Sequence, residues 1–267
     1  MQVAMSASHG RTAVSRPVTT LIRSRSPSSA FAVTRADHPT PEVSAMRNRT
    51  TTETVARFYV GRIRDRLKMR HNRQQVRTVT ATSPGGHLVT LRTARFSDAA
   101  AWRQIRLRDR SLIEPYWATT DAEWNERHTD AMWIHECLRG RADTAAGRAL
   151  PRVIDVDGHF AGQCNLEWID TWNGTAEVGI WVDSAHGRAG IGSTAAELML
   201  DVCFTDLHLQ RVSAPIGITN TPAKRLVAKI GLQHEGTMKN YMNAGGRRTD
   251  HELWAITADH HTNITRS

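Results

Sequence analysis

The sequence predicts one mixed α/β or α+β domain behind a basic extension, and three observations predict it. Strand-like alternation and helix-like periodicity follow one another as β-αα-ββ-β-α-β-α-ββ over residues 87–258. The early strands read as an antiparallel meander, and one later helix joins two strands as a β-α-β crossover. The chain has 267 residues and is 40% hydrophobic, which is enough for a packed core in addition to the extension.

The first half of the domain is predicted to contain three strands and two helices. A strand is predicted for LVTLRTARFSD, and a helix for DAAAWRQIRLRDRSLIEPYW, with Asp98 placed to cap its start. The second helix is predicted within DAEWNERHTDAMWIHECLRG and ends at Gly140. Two strands follow in RVIDVDGHFAGQCNLEWID, joined at Asp157-Gly158, a dipeptide typical of hairpin turns.

The second half contains the crossover and ends in a hairpin. A strand is predicted for TAEVGIWVD, and a glycine-rich turn with a following helix for HGRAGIGSTAAELMLDVCF. The next strand is RVSAPIG, and the next helix is TPAKRLVAKIG, with Pro222 in its first turn and Gly231 at its end. The closing hairpin is predicted from EGTMKNYM and RRTDHELWAIT.

The positive charge of the chain lies in its first third. Residues 1–86 hold 15 of the 35 lysines and arginines but only 4 of the 26 acidic residues. Their composition predicts a disordered basic extension over 1–52 and a basic amphipathic helix with a linker over 53–86. The helix suits a solvated surface position best, and docking on the domain, on a membrane surface or, non-specifically, on RNA or the ribosome are the alternatives. The acid-poor start is also typical of organellar transit peptides. A short tail is predicted at 259–267.

Cysteine usage and hydropathy indicate the compartment. Cys137, Cys164 and Cys203 lie far apart without C-x-x-C spacing, which favours free thiols in a reducing compartment, and we expect a cytoplasmic protein. The sequence has no run of about 18 apolar residues, so no membrane-spanning helix is expected. No metal ion is expected either.

The glycine-rich turn allows two interpretations as a phosphate site. The run GIGSTA at residues 190–195 fits the dinucleotide fingerprint G-x-G-x-x-(G/A), which also needs a carboxylate at the end of the next strand to hold a ribose. That strand ends in Thr219 and Asn220, and no P-loop lysine follows the glycines. The better interpretation is a coenzyme A pyrophosphate, held by main-chain N–H groups and by the N-terminus of the following helix.

Residues 88–257 resemble the GNAT acetyltransferases, most closely their RimJ/RimL-type branch, on the stretches EVGIWVDSAHGRAGIGS, NTPAKRLVAKIGLQHEG and GGRRTDHELWAIT. The resemblance implies the GNAT acyl-CoA N-acyltransferase fold, with a central twisted mixed sheet flanked by helices. It also implies acetyl transfer from acetyl-CoA to a primary amine, foremost the α-amine of a ribosomal-protein N-terminus. The alternatives are a small-molecule amine (aminoglycoside or polyamine), an inactive acyl-CoA-binding protein, or an RNA- or ribosome-binding protein.

The resemblance also implies where the cofactor binds. The family's pyrophosphate loop reads (Gln/Arg)-x-x-Gly-x-(Gly/Ala), and residues 187–192 occupy its six positions, with Gly187 replacing the usual first residue. The strand before this loop splays from its neighbour in the family and offers N–H groups to the thioester, here from Gly179 onward. The implied cofactor-binding residues are Ile180, Trp181, Val182, Gly187, Arg188, Ala189, Gly190, Ile191, Gly192, Ser193, Asn220 and Arg225.

Glu177 is the candidate base, acting through water on the acceptor amine. It stands two residues before Gly179 on the same predicted strand, although an exposed strand glutamate would read the same way. Three further acidic residues are candidates for an acidic mouth that attracts an ammonium group: Glu114, Glu167 and Asp250.

The proton donor to the leaving thiolate that is usual in the family is missing from the sequence. Related enzymes often carry Ser three residues after the helix-start Asn, or Tyr four residues further, where this chain has Ala223 and Val227. Tyr241 or a water molecule is therefore the candidate acid. Arg225 and Lys229, on the same helix, either meet CoA phosphates or are solvated.

Overall fold

The computed structural model describes residues 77–265. The predicted extension, amphipathic helix and RNA contact at residues 1–76 lie outside the described residues. Within the described part, no helix is long and apolar enough to cross a membrane.

A single mixed sheet of eight strands forms the centre of the domain, in the order β1-β2-β3-β4-β5-β6-β8-β7. All neighbouring strands pair antiparallel except β5 and β6, which pair parallel. The strands are β1 (Val79–Thr82), β2 (Leu88–Arg92), β3 (Leu150–Val156), β4 (His159–Asp170), β5 (Thr175–Val182), β6 (Arg211–Gly217), β7 (Gln233–Ala244) and β8 (Arg247–Thr257).

Six α-helices accompany the sheet within residues 77–265. They are α1 (Ala99–Arg108), α2 (Arg110–Ile113), α3 (Asp130–Ala145), α4 (Ile191–Asp201), α5 (Thr221–Lys229) and α6 (Ala258–Thr265). Helix α4 supplies the β-α-β crossover between β5 and β6. The predicted mixed α/β architecture and its crossover are thereby confirmed.

The two faces of the sheet carry separate cores. On one face, α4 and α5 pack against alternate strand residues such as Val178 and Ile180. On the other face, α1 and α3 enclose an aromatic cluster that includes Trp102, Trp133 and Trp181. Because side chains alternate along a strand, odd-numbered residues of β5 face α1 and α3, whereas even-numbered residues face α4.

The helices of the first half differ from the prediction. The predicted second helix begins only at Asp130 and continues through Gly140 to Ala145. Gly140 does not end the helix; it makes room for the Pro151 ring, whose Cγ would lie 2.7 Å from an added Cβ. The first helix breaks at Asp109. Asp98 does not cap α1 through its side chain, since its carboxylate binds the Arg92 guanidinium at 2.9 Å.

The ends of the domain also differ from the prediction. Strand β1 lies in the stretch predicted as a linker, and α6 occupies most of the predicted tail. The turn between β1 and β2 packs against the glycine-rich loop, where Gly85 donates its N–H to the Ala189 carbonyl at 3.2 Å. Strand β1 and the turn that follows it therefore belong to the sheet and contact its glycine-rich loop.

Candidate active site

Strands β5 and β6 separate after a short parallel ladder. They pair only from Thr175 opposite Arg211 to Glu177 opposite Ser213, and then diverge. On its other edge, β5 remains paired with β4 as far as Val182. The second half of β5 therefore borders a wedge-shaped gap, as the sequence resemblance implies.

The main-chain groups of β5 alternate between this gap and β4. The Asp183 N–H bonds the Ala161 carbonyl at the start of β4, whereas the Ala176 carbonyl accepts the Ser213 hydroxyl of β6 at 3.4 Å. Since both groups of a residue point to the same edge, Val178, Ile180 and Val182 present theirs to the gap. This corrects the predicted N–H donors Gly179 and Trp181, whose main-chain groups face β4.

The loop from Gly187 to Gly190 leads directly into α4. Gly190 stands at the start of the helix with φ 77°, and Arg188 also has a left-handed backbone, with φ 68°. Among the described residues, none accepts a hydrogen bond from the N–H groups of residues 188–193. Consecutive N–H groups at a helix N-terminus, together with left-handed turns, form a concave anion site. This is the arrangement that a pyrophosphate requires.

An ion-pair network fixes the start of this loop to the end of α1. The Asp109 carboxylate accepts the Ser184 N–H at 2.9 Å and the Ser184 hydroxyl at 2.8 Å. Arg108 binds both Asp109 and Asp183. Although burial acts to raise it, these hydrogen bonds hold the pKa of Asp109 below its usual value. The network explains why α1 ends at this point.

Glu177 and Tyr241 share the face of the sheet that α1 and α3 cover, and the charge of Glu177 acts on the Tyr241 hydroxyl. Burial raises the pKa of Glu177 above that of an ordinary glutamate. Burial and the negative charge of Glu177 both raise the pKa of Tyr241. The structure therefore brings together the predicted base and the predicted acid, although they lie 64 positions apart in the chain.

Two residues that the sequence did not single out complete this surface. His251 is buried, its ring centroid lies 5.3 Å from that of Tyr241, and burial lowers its pKa, which keeps the imidazole neutral. Tyr116 packs over Gly217, where the position of a Cβ would be 3.6 Å from the Tyr116 ring. The nearby Tyr116 hydroxyl donates to the Thr219 carbonyl at 3.3 Å. No local pattern marks either residue, because each belongs to a segment distant from β5.

A bulge in β7 sets the backbone conformation beside Tyr241. The register between β7 and β8 shifts between Met238 and Met242, and Asn240 has a left-handed φ of 49°. Asp250 fixes this bulge by accepting the Asn240 N–H at 2.8 Å and the Lys239 ammonium at 2.9 Å.

The three acidic residues predicted to form one mouth do different things. Only Glu167 lies beside Glu177, directly opposite it on β4. Glu114 is paired with Arg110 at 2.6 Å, and Asp250 is committed to the β7 bulge. The prediction of one acidic mouth is therefore wrong for Glu114 and Asp250, because neighbouring donors already neutralise both carboxylates.

A buried arginine stands behind the site. Arg106 of α1 stacks over Trp117 at 3.8 Å and approaches Trp181 of β5 at 5.1 Å. Burial lowers the pKa of Arg106 to about 9, and no described residue accepts a hydrogen bond from its Nη1. Trp181, predicted to bind the cofactor, is fully buried in this cluster instead.

The α5 residues predicted to bind the cofactor have different surroundings. Asn220 is 1% exposed, and its side-chain oxygen accepts the Ala223 N–H at 3.2 Å, so it caps α5. Arg225 and Lys229 are exposed, and Lys229 lies near Glu197 of α4.

Splayed parallel strands, followed by a loop rich in free N–H groups and a helix, define the acyl-CoA N-acyltransferase class of fold. A family model described as "Acetyltransferase (GNAT) domain" matches residues 89–233, more than half of the chain. The protein belongs to the GNAT acetyltransferase family and is an N-acetyltransferase of that type. The resemblance inferred from the sequence is thereby confirmed.

Known relatives and solved structures agree with this family. A structure of Mycobacterium smegmatis RimJ in complex with CoA-disulfide is 38% identical, with a TM-score of 0.66 over 68% of this chain and 87% of its own. A ribosomal-protein-S5-alanine acetyltransferase from Vibrio fischeri shares the fold at 21% identity and a TM-score of 0.60, over 68% of this chain and 97% of its own. The L-amino acid N-acetyltransferase AaaT of Escherichia coli is 27% identical over 61% of this chain and 93% of its own.

Proposed function

We propose that the protein transfers an acetyl group from acetyl-CoA to the α-amine of a protein N-terminus. The placement of Glu177 and Tyr241 on one face of the sheet, where β5 and β6 begin to separate, carries this proposal, because it puts a candidate base and a candidate acid next to the gap. We further propose that the protein is cytoplasmic. We propose too that its acetyltransferase domain consists of residues 87–258 together with strand β1.

Acetyl-CoA would be held largely by the main chain. The N–H groups of residues 188–193 suit its pyrophosphate, and Arg188 adds a countercharge from an exposed position. The main-chain groups of Ile180 and Val182 suit its pantetheine and thioester. When bound, acetyl-CoA supplies an activated acyl group with a thiolate as the leaving group.

The side chains move the protons. Glu177 removes a proton from the acceptor amine, directly or through water, and its raised pKa makes it a stronger base than an exposed glutamate. Tyr241 donates its phenolic proton to the departing sulfur. The raised pKa of Tyr241 keeps this group protonated at neutral pH. The pair therefore compensates for Ala223 and Val227, which carry no acidic proton.

The acceptor would reach Glu177 from the α1 and α3 side. The segment after α2 forms one wall, where Thr119 donates its N–H to the Asn243 carbonyl of β7 at 2.9 Å. A Bacillus subtilis relative named as a putative [ribosomal protein bS18]-alanine N-acetyltransferase favours a protein N-terminus as acceptor. A small amine is the second candidate, favoured by the relative named as an L-amino acid N-acetyltransferase.

Incubation with acetyl-CoA and a panel of acceptors tests the proposal. The panel contains peptides beginning with alanine or serine, their N-terminally blocked forms, free amino acids, a polyamine and an aminoglycoside. We expect thiol release and a mass increase of one acetyl group on the unblocked peptides only. Acetylation of the small amines alone would show that the acceptor is a small amine and not a protein N-terminus. Absence of thiol release by a protein that still binds CoA would favour an inactive acyl-CoA-binding protein.

A further inference from the structure

Glu167 and Glu177 form a pair of carboxyl groups across neighbouring strands. They are directly opposite in the β4–β5 register, and both are odd-numbered residues that face α1 and α3. Side chains opposite one another in an antiparallel pair have Cβ atoms about 5 Å apart. Two carboxylates at this separation repel, so the pair favours a state in which one of them holds a proton.

A cavity of about 370 Å³ lies between α3 and the strands β3 and β4. Glu167 lines this cavity and Glu177 does not. Trp168, which is 54% exposed, and Arg148, whose side chain is 65% exposed, also line it, so the cavity reaches the surface of the described domain. Glu167 therefore connects the candidate base, directly opposite it on β5, with a cavity that opens to solvent.

The proposed reaction must release a proton. A protonated amine and acetyl-CoA become an amide and a thiol, so the nitrogen loses two protons, of which the thiol keeps one. The other proton leaves the active site in each turnover. Glu177 is itself partly exposed, so it needs a separate route to return the proton to water only when acetyl-CoA and the acceptor fill the site.

We propose that Glu167 is this route, accepting the proton from Glu177 and passing it to water in the cavity. The inference rests on the proposed function, in which Glu177 is the base. Because Glu167 acts through Glu177 and does not touch the acceptor, it is a positioning residue in the transfer of the proton.

The charges around Glu167 suit this role. Burial raises the pKa of Glu167 to about 7, with Arg139 acting to lower it and with Glu177, Glu136 and Asp143 acting to raise it further. A group that titrates near neutral pH both accepts and releases a proton readily.

Replacement of Glu167 by glutamine in the full-length protein tests the kinetic role. With whichever acceptor of the panel the wild type acetylates, we expect kcat to fall roughly tenfold, a larger solvent deuterium isotope effect and a changed acid limb of the pH profile. The KM for acetyl-CoA is expected to stay within about twofold. Asp170→Asn is the matched control, since Asp170 lies on the same strand, is held by the N–H groups of Trp172 and Asn173, and is not among the charges that act on Glu167. If Glu167→Gln kept the wild-type kcat and pH profile, the relay would be overturned and the proposed function would stand.

A titration without any acceptor tests the coupling itself. In protein labelled with ¹³C at glutamate carboxyls, we expect one carboxyl to titrate near pH 7 and to disappear in Glu167→Gln. Glu177→Gln should lower its midpoint, because the neighbouring negative charge is removed. An unchanged midpoint in Glu177→Gln would overturn the relay whatever the acceptor is. Failure of the wild type to acetylate any acceptor, with the coupling intact, would count against the proposed function instead.

Discussion

The loop after β5 and the surface that carries Glu177 border the same gap but are built in opposite ways. The loop is one continuous stretch, residues 183–193, and it would act through main-chain N–H groups. The Glu177 surface is assembled by the sheet from β5, β7, β8 and the segment after α2. One side depends on the conformation of a few consecutive residues, whereas the other depends on the register of distant strands.

This difference separates binding from chemistry. A change in the loop should alter affinity for acetyl-CoA and leave the proton-transfer groups in place. A change on the Glu177 surface should alter kcat and leave affinity unchanged. Variants on each side can therefore support or contradict the division directly.

Glu177→Gln should give the largest effect. Loss of the base is expected to lower kcat by about 10²- to 10⁴-fold, while the Kd for CoA stays within about twofold. Because the base works only when deprotonated and its pKa is raised, wild-type kcat/KM should rise with pH through a value above that of an ordinary glutamate. Steady-state kinetics across pH, with calorimetric CoA binding, measure both expectations.

Glu197→Gln is the matched control for this change. Glu197 has a pKa raised by burial, as Glu177 has, but it lies on α4 at the other face of the sheet. Its replacement should leave kcat and the pH profile close to wild type. Equal losses in the two variants would mean that a general electrostatic effect, and not a specific base, explains the result.

The sequence predicts the loop side well because that side is local. The positions of Gly190 and Gly192, the preceding strand and the following helix can all be read from consecutive residues. Strand β1 escapes prediction because only four residues, Val79–Thr82, form it, too few for their alternation of apolar and polar side chains to stand out. The main-chain direction at Trp181 depends on pairing with β4, which no local pattern reveals.

The Glu177 surface is predictable only in part. Glu177 and Tyr241 can be named from the sequence, but their placement on one face of the sheet results from the order and register of strands far apart in the chain. His251 and Tyr116 carry no signal of their own. Asp250 looks like a solvated or substrate-facing acid in the sequence, because its partner Asn240 adopts a left-handed backbone that residue type alone does not indicate.

Gly190→Ala should give an intermediate effect confined to binding. Gly190 has φ 77°, and an added Cβ would lie 2.7 Å from Cδ of Pro84 in the β1–β2 turn. A left-handed non-glycine residue costs about 1–2 kcal/mol, so we expect the Kd for CoA to rise roughly tenfold, measured by calorimetry. With saturating acetyl-CoA, kcat should recover to near the wild-type value.

Gly187→Ala serves as the control for the same loop. Gly187 has φ −59°, which any residue adopts, and its added Cβ would meet only the Ser184 carbonyl, at 3.2 Å. Its Kd for CoA should stay within a few-fold of wild type. If Gly187→Ala weakened CoA binding as much as Gly190→Ala does, the special role of the left-handed position would be contradicted.

Asp250→Asn should give the smallest effect, because Asp250 acts on the reaction only through Tyr241. The Asn240 N–H, followed by the Lys239 ammonium, holds the pKa of Asp250 below its usual value, so its contribution is complete at neutral pH and is lost only in acid. Loss of this charge should loosen the bulge and lower kcat about two- to fivefold, less than Tyr241→Phe does.

Once Tyr241 is phenylalanine, Asp250→Asn should lower kcat no further, since contributions that act through one group are not additive. Asp170→Asn, which removes a similar hydrogen-bonded carboxylate from the β4–β5 turn, should leave kcat unchanged. A full additive loss in the double variant would mean that Asp250 acts independently of Tyr241.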